Sequence, residues 1–334
     1  MNDFKGYLQI TAYLGTDIES LKVAAEAIKA GKLVSFPTET VYGLGADAFN
    51  AGAVARIFQE KERPSFDPLI VHISHIDQLS RLTRSITPVV LRLAEAFWPG
   101  PLTLVLPKQP EVHDIVTSGL DTVAIRMPNH PVALQLITLS GTAIAAPSAN
   151  KFGQLSPTHH KHVTKQLKGV EYVIEGGSTT VGIESSVVSV DEMKIQILRP
   201  GAVTAADIKK VIPEVEVVDF TKPVDNHLPS PGLLNSHYSP KKPLYISNNL
   251  DLFAGKKYGY IAFSGNGEMS GPAKVFVLSA KGDFAEAATN LFRALHYFEE
   301  EEVDFIVAEP IAEQGIGVAI MDRLKKAAFQ YLKD

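Results

Sequence analysis

The chain has 334 residues, of which 45% are hydrophobic, and its 32 basic and 37 acidic residues give a net charge of −5. This much apolar material suits two globular domains of about 150 residues each, and the lack of a basic excess argues against binding of nucleic acid through bulk charge. Because the chain has no cysteine, disulfides, thiolate metal sites and cysteine nucleophiles are excluded.

Helix and strand patterns alternate over the first part of the chain. Residues 17–30 carry apolar side chains at helical spacing, with Asp17 as the predicted N-cap and Gly31 at the C-terminal end. A second helix is predicted to begin at Asn50. Further helices are predicted at 87–97 and 131–139, and short strands at 33–36, 69–73, 102–106, 122–126 and 142–146. Three more strand-like segments follow residue 171, and because several strands are adjacent in sequence, we expect a mixed sheet with helices on at least one face.

A proline-rich segment separates this part from the C-terminal part. Residues 221–243 contain five prolines and few core-forming residues, which is typical of a linker. After it, the pattern predicts two strands, an amphipathic helix, a strand and a closing helix within about 90 residues, an arrangement typical of a small open α/β domain. The sequence therefore predicts a first domain over 1–220, a linker over 221–243 and a smaller Rossmann-like α/β domain over 244–334.

The segment PTETVYGLG, which follows the predicted strand at 33–36, is unusually polar. Thr38, Glu39, Thr40 and Tyr42 supply hydrogen-bond donors and acceptors beside glycines, which let a backbone approach a ligand closely. A polar turn would explain part of this pattern, but the density of hydroxyl groups favours a binding loop.

Several cationic or titratable side chains lie near helix or strand ends. Lys61 and Arg63, in the sequence KERP, end a predicted helix, where cations either complement the helix dipole or bind phosphate. Arg126 ends a strand and needs a partner if it is buried, which a ligand carboxylate would supply. His72 lies inside an apolar strand, where spacing alone favours a core histidine over a ligand-binding one.

Small polar residues follow or precede other strands. Ser148 and Asn150 come just after the strand at 142–146, where open α/β sheets place their binding crevices. Ser185 and Ser186 end a glycine-rich segment, and Arg199 ends a further strand. Three polar loops and three separate arginines together predict a site for an anionic, phosphate-bearing ligand.

Other motifs do not indicate a site. The chain has no GxxxxGK[ST] sequence, which excludes a P-loop. The G-x-G at Gly315–Gly317 lacks the full glycine fingerprint and predicts close helix packing. The histidines of THHKHVTKQLK (158–168) are poorly spaced to share one helix face, so a solvated, basic helix start is favoured over a metal site.

Seven motifs occur in the order found in the YrdC-type domain: PTETVYGLG, the K-x-R of KERP, PLIVHI, FWPGPLTLVL, AIRMP, the S-x-N of APSAN, and LRPG. The chain thus resembles the family of L-threonylcarbamoyl-AMP synthases from about residue 15 onward. The tail, EAATNLFRALHYFEE and then EQGIGVAIMDRLKKAA, is similar to the C-terminal domain of the two-domain form of that family. The resemblance implies a YrdC-type mixed, twisted sheet with helices, followed by a smaller Rossmann-like α/β domain.

The resemblance also implies a nucleotidyltransferase reaction. L-threonine, bicarbonate and ATP would give threonylcarbamoyl-AMP and pyrophosphate, and a separate transferase complex would use the product to form N6-threonylcarbamoyladenosine in tRNA. The protein itself would meet tRNA only indirectly. Mg²⁺ would bind with ATP, held by phosphates and water instead of protein side chains.

Residue roles follow from the same motifs. The resemblance assigns catalytic roles to Lys61, Arg63, Ser148 and Asn150, and L-threonine binding to Thr38, His72, Arg126 and one hydroxyl of Ser185–Ser186, here taken as Ser185. It assigns ATP binding to Lys61, Arg63, Thr122, Ser148, Asn150, Ser156, Arg199, His237 and Tyr238. In the linker, SPGLLNSHYSP departs from the family at 233–236, where more basic and aromatic residues are usual. We expect this linker to cross the active site as a lid. The alternative is that it is a passive spacer whose side chains face water.

Two other functions compete with this prediction. A non-catalytic YrdC-type protein that binds RNA is disfavoured by the acidic net charge and the lack of interleaved basic and aromatic residues. A transferase that uses carbamoyl phosphate would be expected to have zinc-finger cysteines. The N-terminus lacks the basic and apolar regions of a signal peptide, and no run reaches about 18 apolar residues, so we expect a cytoplasmic monomer without membrane contact.

Overall fold

The computed structural model describes residues 11–191, 193–219, 238–265 and 269–329. The helices in these ranges are α1 (Ile18–Lys29), α2 (Ala51–Lys61), α3 (Pro88–Phe97), α4 (Asp114–Thr117), α5 (Pro131–Ser140), α6 (His160–Gln166), α7 (Ala205–Val211), α8 (Phe284–Glu300) and α9 (Ile316–Ala328). None of these described helices has the length and apolar composition needed to cross a membrane.

The described strands form two sheets. The strands of the large sheet are β1 (Ala12–Leu14), β2 (Val34–Phe36), β3 (Gly43–Asp47), β4 (Ile70–His72), β5 (Leu102–Pro107), β6 (Thr122–Arg126), β7 (Ile144–Ala145), β8 (Tyr172–Ile174), β9 (Ser186–Val190), β10 (Lys194–Arg199) and β11 (Glu216–Val218). The strands of the small sheet are β12 (Leu244–Ile246), β13 (Tyr258–Ala262), β14 (Lys274–Val277) and β15 (Phe305–Ala308).

The large sheet is mixed and the small sheet is parallel. The large sheet has the order β1-β8-β2-β3-β7-β4-β6-β5-β9-β10-β11, with parallel pairs such as β4–β6 and antiparallel pairs such as β5–β6. The small sheet has the order β12-β15-β13-β14 with all three pairs parallel. The predicted combination of a large mixed sheet and a smaller α/β sheet is confirmed, although β1, β11, β12, α4 and α7 were not predicted.

Side-chain caps fix where the predicted helices begin. Asp17, Asn50 and Thr87 each accept a hydrogen bond from the backbone N–H three residues later, at the start of α1, α2 and α3. Each cap satisfies an N–H group that has no partner within its helix. The predicted beginnings of these helices are therefore confirmed.

Part of the predicted binding loop forms a strand instead. Gly43 and Gly45 lie on β3, which pairs antiparallel with β2. A Cβ atom at Gly45 would come within 2.7 Å of the Phe36 ring, so these glycines make room for a core aromatic side chain. Residues 37–42 remain as the loop.

Close packing explains Gly317, which lies in the first turn of α9. A Cβ atom at Gly317 would lie 2.1 Å from the carbonyl oxygen of Ala312 and 2.8 Å from the ring of Phe284. The prediction that the G-x-G sequence serves helix packing is confirmed at Gly317.

Helices α8 and α9 pack directly against the part of the chain that carries the large sheet. Ile183 belongs to the same apolar cluster as the inner faces of α8 and α9. Gly182 lies against the backbone of Thr289 on α8, where a Cβ atom would come within 2.4 Å of the carbonyl oxygen. The Thr289 hydroxyl donates to the carbonyl of Thr180 at 2.7 Å. Helices α8 and α9 thus form a direct interface with residues 180–183 of the first part of the chain.

This interface also covers the histidine-rich segment. His162 on α6 stacks on His296 of α8 with ring centroids 3.8 Å apart, and His296 Nε2 lies 3.0 Å from the carbonyl oxygen of Ser156. The predicted solvated helix start is therefore wrong for His162, because α8 covers it. Among the described residues, no group of three or more histidine or acidic side chains is arranged to hold a metal ion.

Candidate functional site

A cavity of about 570 Å³, part of it open to solvent, lies where several strands of the large sheet end. The polar residues in its described wall are Thr38, Thr40, Arg63, His72, Arg126, Ser148, Glu184, Ser185, Arg199 and Tyr238. This wall contains three guanidinium groups and one carboxylate, so it is cationic. A cationic wall of low exposure suits an anionic ligand.

Strand pairing brings distant residues together at this cavity. His72 ends β4 and Arg126 ends β6, and the parallel register of these strands places the two residues side by side. Ser185 precedes β9 and Arg199 ends β10, and the antiparallel pairing of these strands brings the start of one to the end of the other. Ser148 follows β7, where the sequence predicted a binding crevice.

Arg126 is 3% exposed and is held by the loop at 37–42. Its Nη1 donates to the Thr40 hydroxyl at 3.0 Å, and its Nε donates to the carbonyl of Gly100 at 3.2 Å. Its Nη2 lies 2.7 Å from Glu39 Oε2, close enough for an ion pair but without hydrogen-bond alignment. Within the described residues, Nη2 therefore retains a donor that a ligand carboxylate would use. Both Glu39 oxygens remain acceptors, which suit a donor group of a ligand.

Arg63 is held in a similar way by its own loop. Its Nε and Nη2 donate to the carbonyls of Asp67 and Pro68 at 3.0 and 2.8 Å, and Nη2 lies 2.9 Å from Asp67 Oδ1. Burial lowers the pKa of Arg63 and raises the pKa of Asp67, and the opposite charge of each group counteracts part of this effect. The ion pair keeps a guanidinium in the wall of the cavity.

Lys61 lies behind the wall and does not line it. Its ammonium donates to the carbonyl of Ser148 at 2.6 Å and to the carbonyl of Asn150. Burial, and then the charge of Arg63, lowers the pKa of Lys61 well below its ordinary value. The structure thus makes Lys61 the support of the loop that carries Ser148 and Asn150.

Ser185 and Arg199 form a hydrogen-bonded group on the opposite strands. Arg199 Nε donates to the Ser185 carbonyl at 3.1 Å, and its Nη2 donates to the Ser185 hydroxyl at 3.2 Å. The Ser185 hydroxyl also lies 2.7 Å from the Thr103 hydroxyl on β5. These contacts orient the Arg199 guanidinium in the wall of the cavity.

Glu184 and Arg323 belong to the site but were not predicted from the sequence. Glu184 lines the cavity, and its Oε2 accepts from Arg323 Nε of α9 at 3.0 Å, while its Oε1 accepts from the Ser156 hydroxyl. Burial raises the pKa of Glu184, but the charges of Arg323 and Arg199 outweigh burial, so the pKa lies below its ordinary value. Glu184 is therefore anionic at neutral pH.

The sequence did contain a signal for Arg323. In α9 it falls four residues after Ala319 and four before Ala327, on the apolar face that packs against α8. A charged residue on a buried helix face requires a partner. Glu184 had a weaker signal, since it was one carboxylate in a polar, glycine-rich segment.

His72 is 4% exposed, and its Nδ1 has no hydrogen-bond partner among the described residues. Burial, and then the charge of Arg126, lowers the pKa of His72 to about 3. The imidazole is therefore neutral at physiological pH. A buried, unpartnered ring nitrogen in the wall of a cavity is available to a ligand.

The pKa of His72 predicts a pH dependence of stability. In the unfolded chain, His72 binds a proton when the pH falls below its ordinary pKa of 6.5. In the folded chain, it binds the proton only near pH 3. The free energy of unfolding is thus expected to fall as the pH drops from about 6.5 towards 3, with His72 alone accounting for about 2 kcal/mol at pH 5. Urea denaturation at pH 7 and pH 5 measures this effect. The difference should shrink in His72→Gln and stay unchanged in His75→Gln, whose side chain is 68% exposed. An equal difference in wild type and His72→Gln would contradict the prediction.

The structure brings together most, but not all, of the predicted site residues. Thr38, Arg63, His72, Arg126, Ser148, Ser185, Arg199 and Tyr238 line the cavity. Lys61, Asn150 and Ser156 lie behind its wall, and Thr122 begins β6, about 13 Å along the strand from Arg126. His237 and most of the predicted linker lie outside the described residues. The predicted roles of all these residues remain predictions.

Comparisons with known proteins identify the family. A family model described as "Telomere recombination" matches residues 26–201, and one described as "Threonylcarbamoyl-AMP synthase, C-terminal domain" matches residues 203–329. A threonylcarbamoyl-AMP synthase of Pyrococcus abyssi is 44% identical over 92% of this chain and 94% of its own length, and one of Bacillus subtilis is 39% identical over 98% of each.

A solved structure agrees with these sequence matches. The crystal structure of P. abyssi Sua5 complexed with L-threonine has a TM-score of 0.88 and 40% identity, covering 96% of this chain and 98% of that one. The resemblance predicted from the seven motifs and the tail is confirmed over both parts of the chain. The chain therefore belongs to the threonylcarbamoyl-AMP synthase family, in its two-domain form with a YrdC-type domain.

Proposed function

We propose that this protein forms threonylcarbamoyl-AMP and pyrophosphate from L-threonine, bicarbonate and ATP. The observation that carries the proposal is the cavity in which Arg63, Arg126 and Arg199 meet hydroxyl groups and a neutral His72. Membership of the family supports the reaction, and the relative with L-threonine bound supports the amino acid. The product would be used by a separate tRNA threonylcarbamoyl transferase complex.

Arg126 is the residue best suited to the threonine carboxylate. Its Nη2 retains hydrogen-bonding capacity, and Thr38, Thr40 and His72 supply neutral polar groups in the same wall. A guanidinium binds a carboxylate with two parallel hydrogen bonds, which fixes the orientation of the amino acid as well as its affinity. The threonine side-chain hydroxyl would then meet the neutral hydroxyl and imidazole groups.

Arg63, Arg199 and Tyr238 suit the nucleotide phosphates. Both arginines and Tyr238 line the same cavity, which places the three side chains around one ligand space. Tyr238 is buried, and its backbone has a φ of 62°, an uncommon value for a residue other than glycine. Such local strain is frequent at ligand-binding positions.

The reaction requires no nucleophile from the protein. The threonine amine and bicarbonate combine to a carbamate with loss of water, a carbamate oxygen attacks the α-phosphorus of ATP, and the bond to pyrophosphate breaks. Negative charge grows on the leaving oxygens, where Arg63 and Arg199 stabilise it. The buried wall limits access of water, which would hydrolyse the mixed anhydride.

Mg²⁺ is part of the proposal as a partner of ATP. Glu39, Asp67 and Glu184 lie near the cavity, but each faces an arginine within 3.0 Å. This donor set fits a metal ion that arrives with the nucleotide and stays bound mainly to phosphates and water. When bound, the ion neutralises phosphate charge.

The proposal is tested by incubating the protein with ATP, Mg²⁺, L-threonine and bicarbonate and searching for the carbamoyl-adenylate by mass spectrometry. Omission of threonine or bicarbonate should abolish both the adenylate and pyrophosphate release. Salt-dependent binding of bare tRNA without pyrophosphate release would instead favour an RNA-binding protein.

Amino acid selectivity gives a further prediction. Threonine is expected to exceed valine in kcat/KM by about 10²-fold, because valine leaves buried polar groups without partners. Serine should be discriminated less, since it loses only a methyl contact. Pyrophosphate release measured with each amino acid at saturating ATP tests this selectivity. Equal turnover of valine and threonine would contradict the assignment of the pocket.

A further inference from the structure

Arg323 is the innermost cation contributed by the second domain. It lies on α9, is fully buried, and donates from Nε to Glu184 at 3.0 Å and from Nη1 to the Pro200 carbonyl at 2.8 Å. Nη1 also lies 2.9 Å from the carboxylate of Asp322. One guanidinium therefore joins α9 to two separate segments of the first domain.

The two segments are the ones that supply the end of the cavity. Glu184 immediately precedes Ser185, and Pro200 immediately follows Arg199. Ser185 and Arg199 are hydrogen-bonded to each other and line the cavity. Arg323 therefore contacts the residue next to each of them, Glu184 before Ser185 and Pro200 after Arg199.

Arg323 also sets the charge of this end of the cavity. Glu184 is a buried anion in the wall, and Arg199 is a cation in the same wall. Glu184 and Arg199 attract each other electrostatically, but the hydrogen bonds of the Glu184 carboxylate go to Arg323 and Ser156. With Arg323 present, the carboxylate is neutralised from behind the wall. Without Arg323, Arg199 would be drawn towards Glu184. An anionic ligand would then meet a carboxylate whose charge is not compensated.

A third contact reaches the end of the linker. The Arg323 guanidinium lies 5.5 Å from the centre of the Tyr238 ring, within the range of a cation–π contact. Tyr238 also packs against Phe292 of α8 at 5.4 Å between ring centres. The second domain thus supports the one described linker residue that lines the cavity.

We propose that Arg323 is a positioning residue through which the second domain neutralises Glu184, so that Arg199 is not drawn towards Glu184 and the cavity accepts the phosphates of ATP. The proposal rests on the proposed function for the identity of the anion. It assigns the second domain a part in nucleotide binding, without contact between Arg323 and the reacting atoms.

The test measures dissociation constants of the full-length protein for ATP with Mg²⁺ and for L-threonine by calorimetry. Arg323→Met should raise the Kd for ATP by about tenfold or more and the Kd for threonine by less than about threefold. Adding Glu184→Gln to Arg323→Met should restore most of the ATP affinity, because a neutral pair needs no compensating charge. Arg323→Lys keeps the charge, so its Kd for ATP should lie between the values of the wild type and of Arg323→Met.

Thr289→Val is the matched control, since it removes a hydrogen bond across the same interface and touches nothing in the wall. Its ATP affinity should equal that of the wild type. If Arg323→Met alone does not fold, the double variant Arg323→Met/Glu184→Gln provides the test. An affinity for ATP within about threefold of the wild type supports the proposal, and a loss of tenfold or more overturns it. An equal loss for ATP and threonine in Arg323→Met, or no rescue by Glu184→Gln, also overturns it. Absence of pyrophosphate release by the wild type would contradict the proposed function, while the binding measurements would still decide the role of Arg323.

Discussion

Replacing Arg126 with methionine is expected to lower kcat/KM for threonine by about 10³-fold, the range found when one partner of a buried, hydrogen-bonded charge pair is removed. The guanidinium is 3% exposed and has a nitrogen with hydrogen-bonding capacity left beside the cavity. Methionine keeps most of the volume but offers no donor to the amino acid carboxylate. Steady-state kinetics of pyrophosphate release should show the loss mainly as a higher KM for threonine, with the KM for ATP little changed.

Loss of Arg126 also leaves the Glu39 carboxylate buried without its ion-pair partner at 2.7 Å. The double variant Arg126→Met/Glu39→Gln separates this structural effect from the loss of threonine binding. It should regain thermal stability relative to Arg126→Met, because no buried charge remains unpaired. It should not regain threonine affinity. Recovery of threonine turnover in the double variant would mean that Arg126 serves only to balance Glu39.

Local signals in the sequence were sufficient for most helices and strands. Asp17, Asn50 and Thr87 are capping residues followed by helical patterns, and each marks the start of a helix in the structure. Strand β3 was missed because Gly43 and Gly45 resemble turn residues. These glycines are needed because the Phe36 ring of the neighbouring strand lies against them. A pattern read over a few adjacent residues does not show this contact.

The site was predicted as a set of residues but not as a geometry. Spacing alone favours a core position for His72, and only the resemblance assigns it to the site. Its position beside Arg126 depends on the β4–β6 register. The position of Lys61 at a helix end predicts a dipole partner or a phosphate clamp, whereas its ammonium donates to two carbonyls of a loop 87 and 89 residues further along the chain. Such pairings follow from the sheet order, which local propensity does not determine.

Residues of the second domain contact the residues that form the wall of the site. Glu184 in the wall is balanced by Arg323 of α9, and Ser156 joins Glu184 to His296 of α8 through its hydroxyl and its carbonyl. Apart from Tyr238 of the linker, the described wall of the cavity belongs to the first domain, but the charge of Glu184 is balanced by a residue of the second. A short member of the family that has only the first domain would need a different partner for a carboxylate at this position.

Replacing Lys61 with methionine is expected to lower kcat for pyrophosphate release by about 10²-fold, the loss that follows when a group at the site is misplaced by about 1 Å. The ammonium satisfies the carbonyls of Ser148 and Asn150, and methionine leaves both acceptors without this donor. The loop would then lose the orientation that brings Ser148 to the wall of the cavity. Because the residue is 1% exposed, the change should also lower the free energy of unfolding by about 2 kcal/mol or more, measured by urea denaturation.

Lys151→Met is the matched control for this substitution. Lys151 lies on the same loop, and its ammonium donates to the carbonyl of Glu60 at 2.7 Å and to Glu62 at 2.9 Å, neither of which lines the cavity. Both variants remove one cation and keep an unbranched side chain, but only Lys61 supports the carbonyls beside Ser148. We expect less than about a threefold change in kcat for Lys151→Met, because a partly exposed contact contributes little. If both variants lost activity equally, the general positive charge of the loop would explain the effect. If neither did, Lys61 would have no part in the reaction or in the support of the loop.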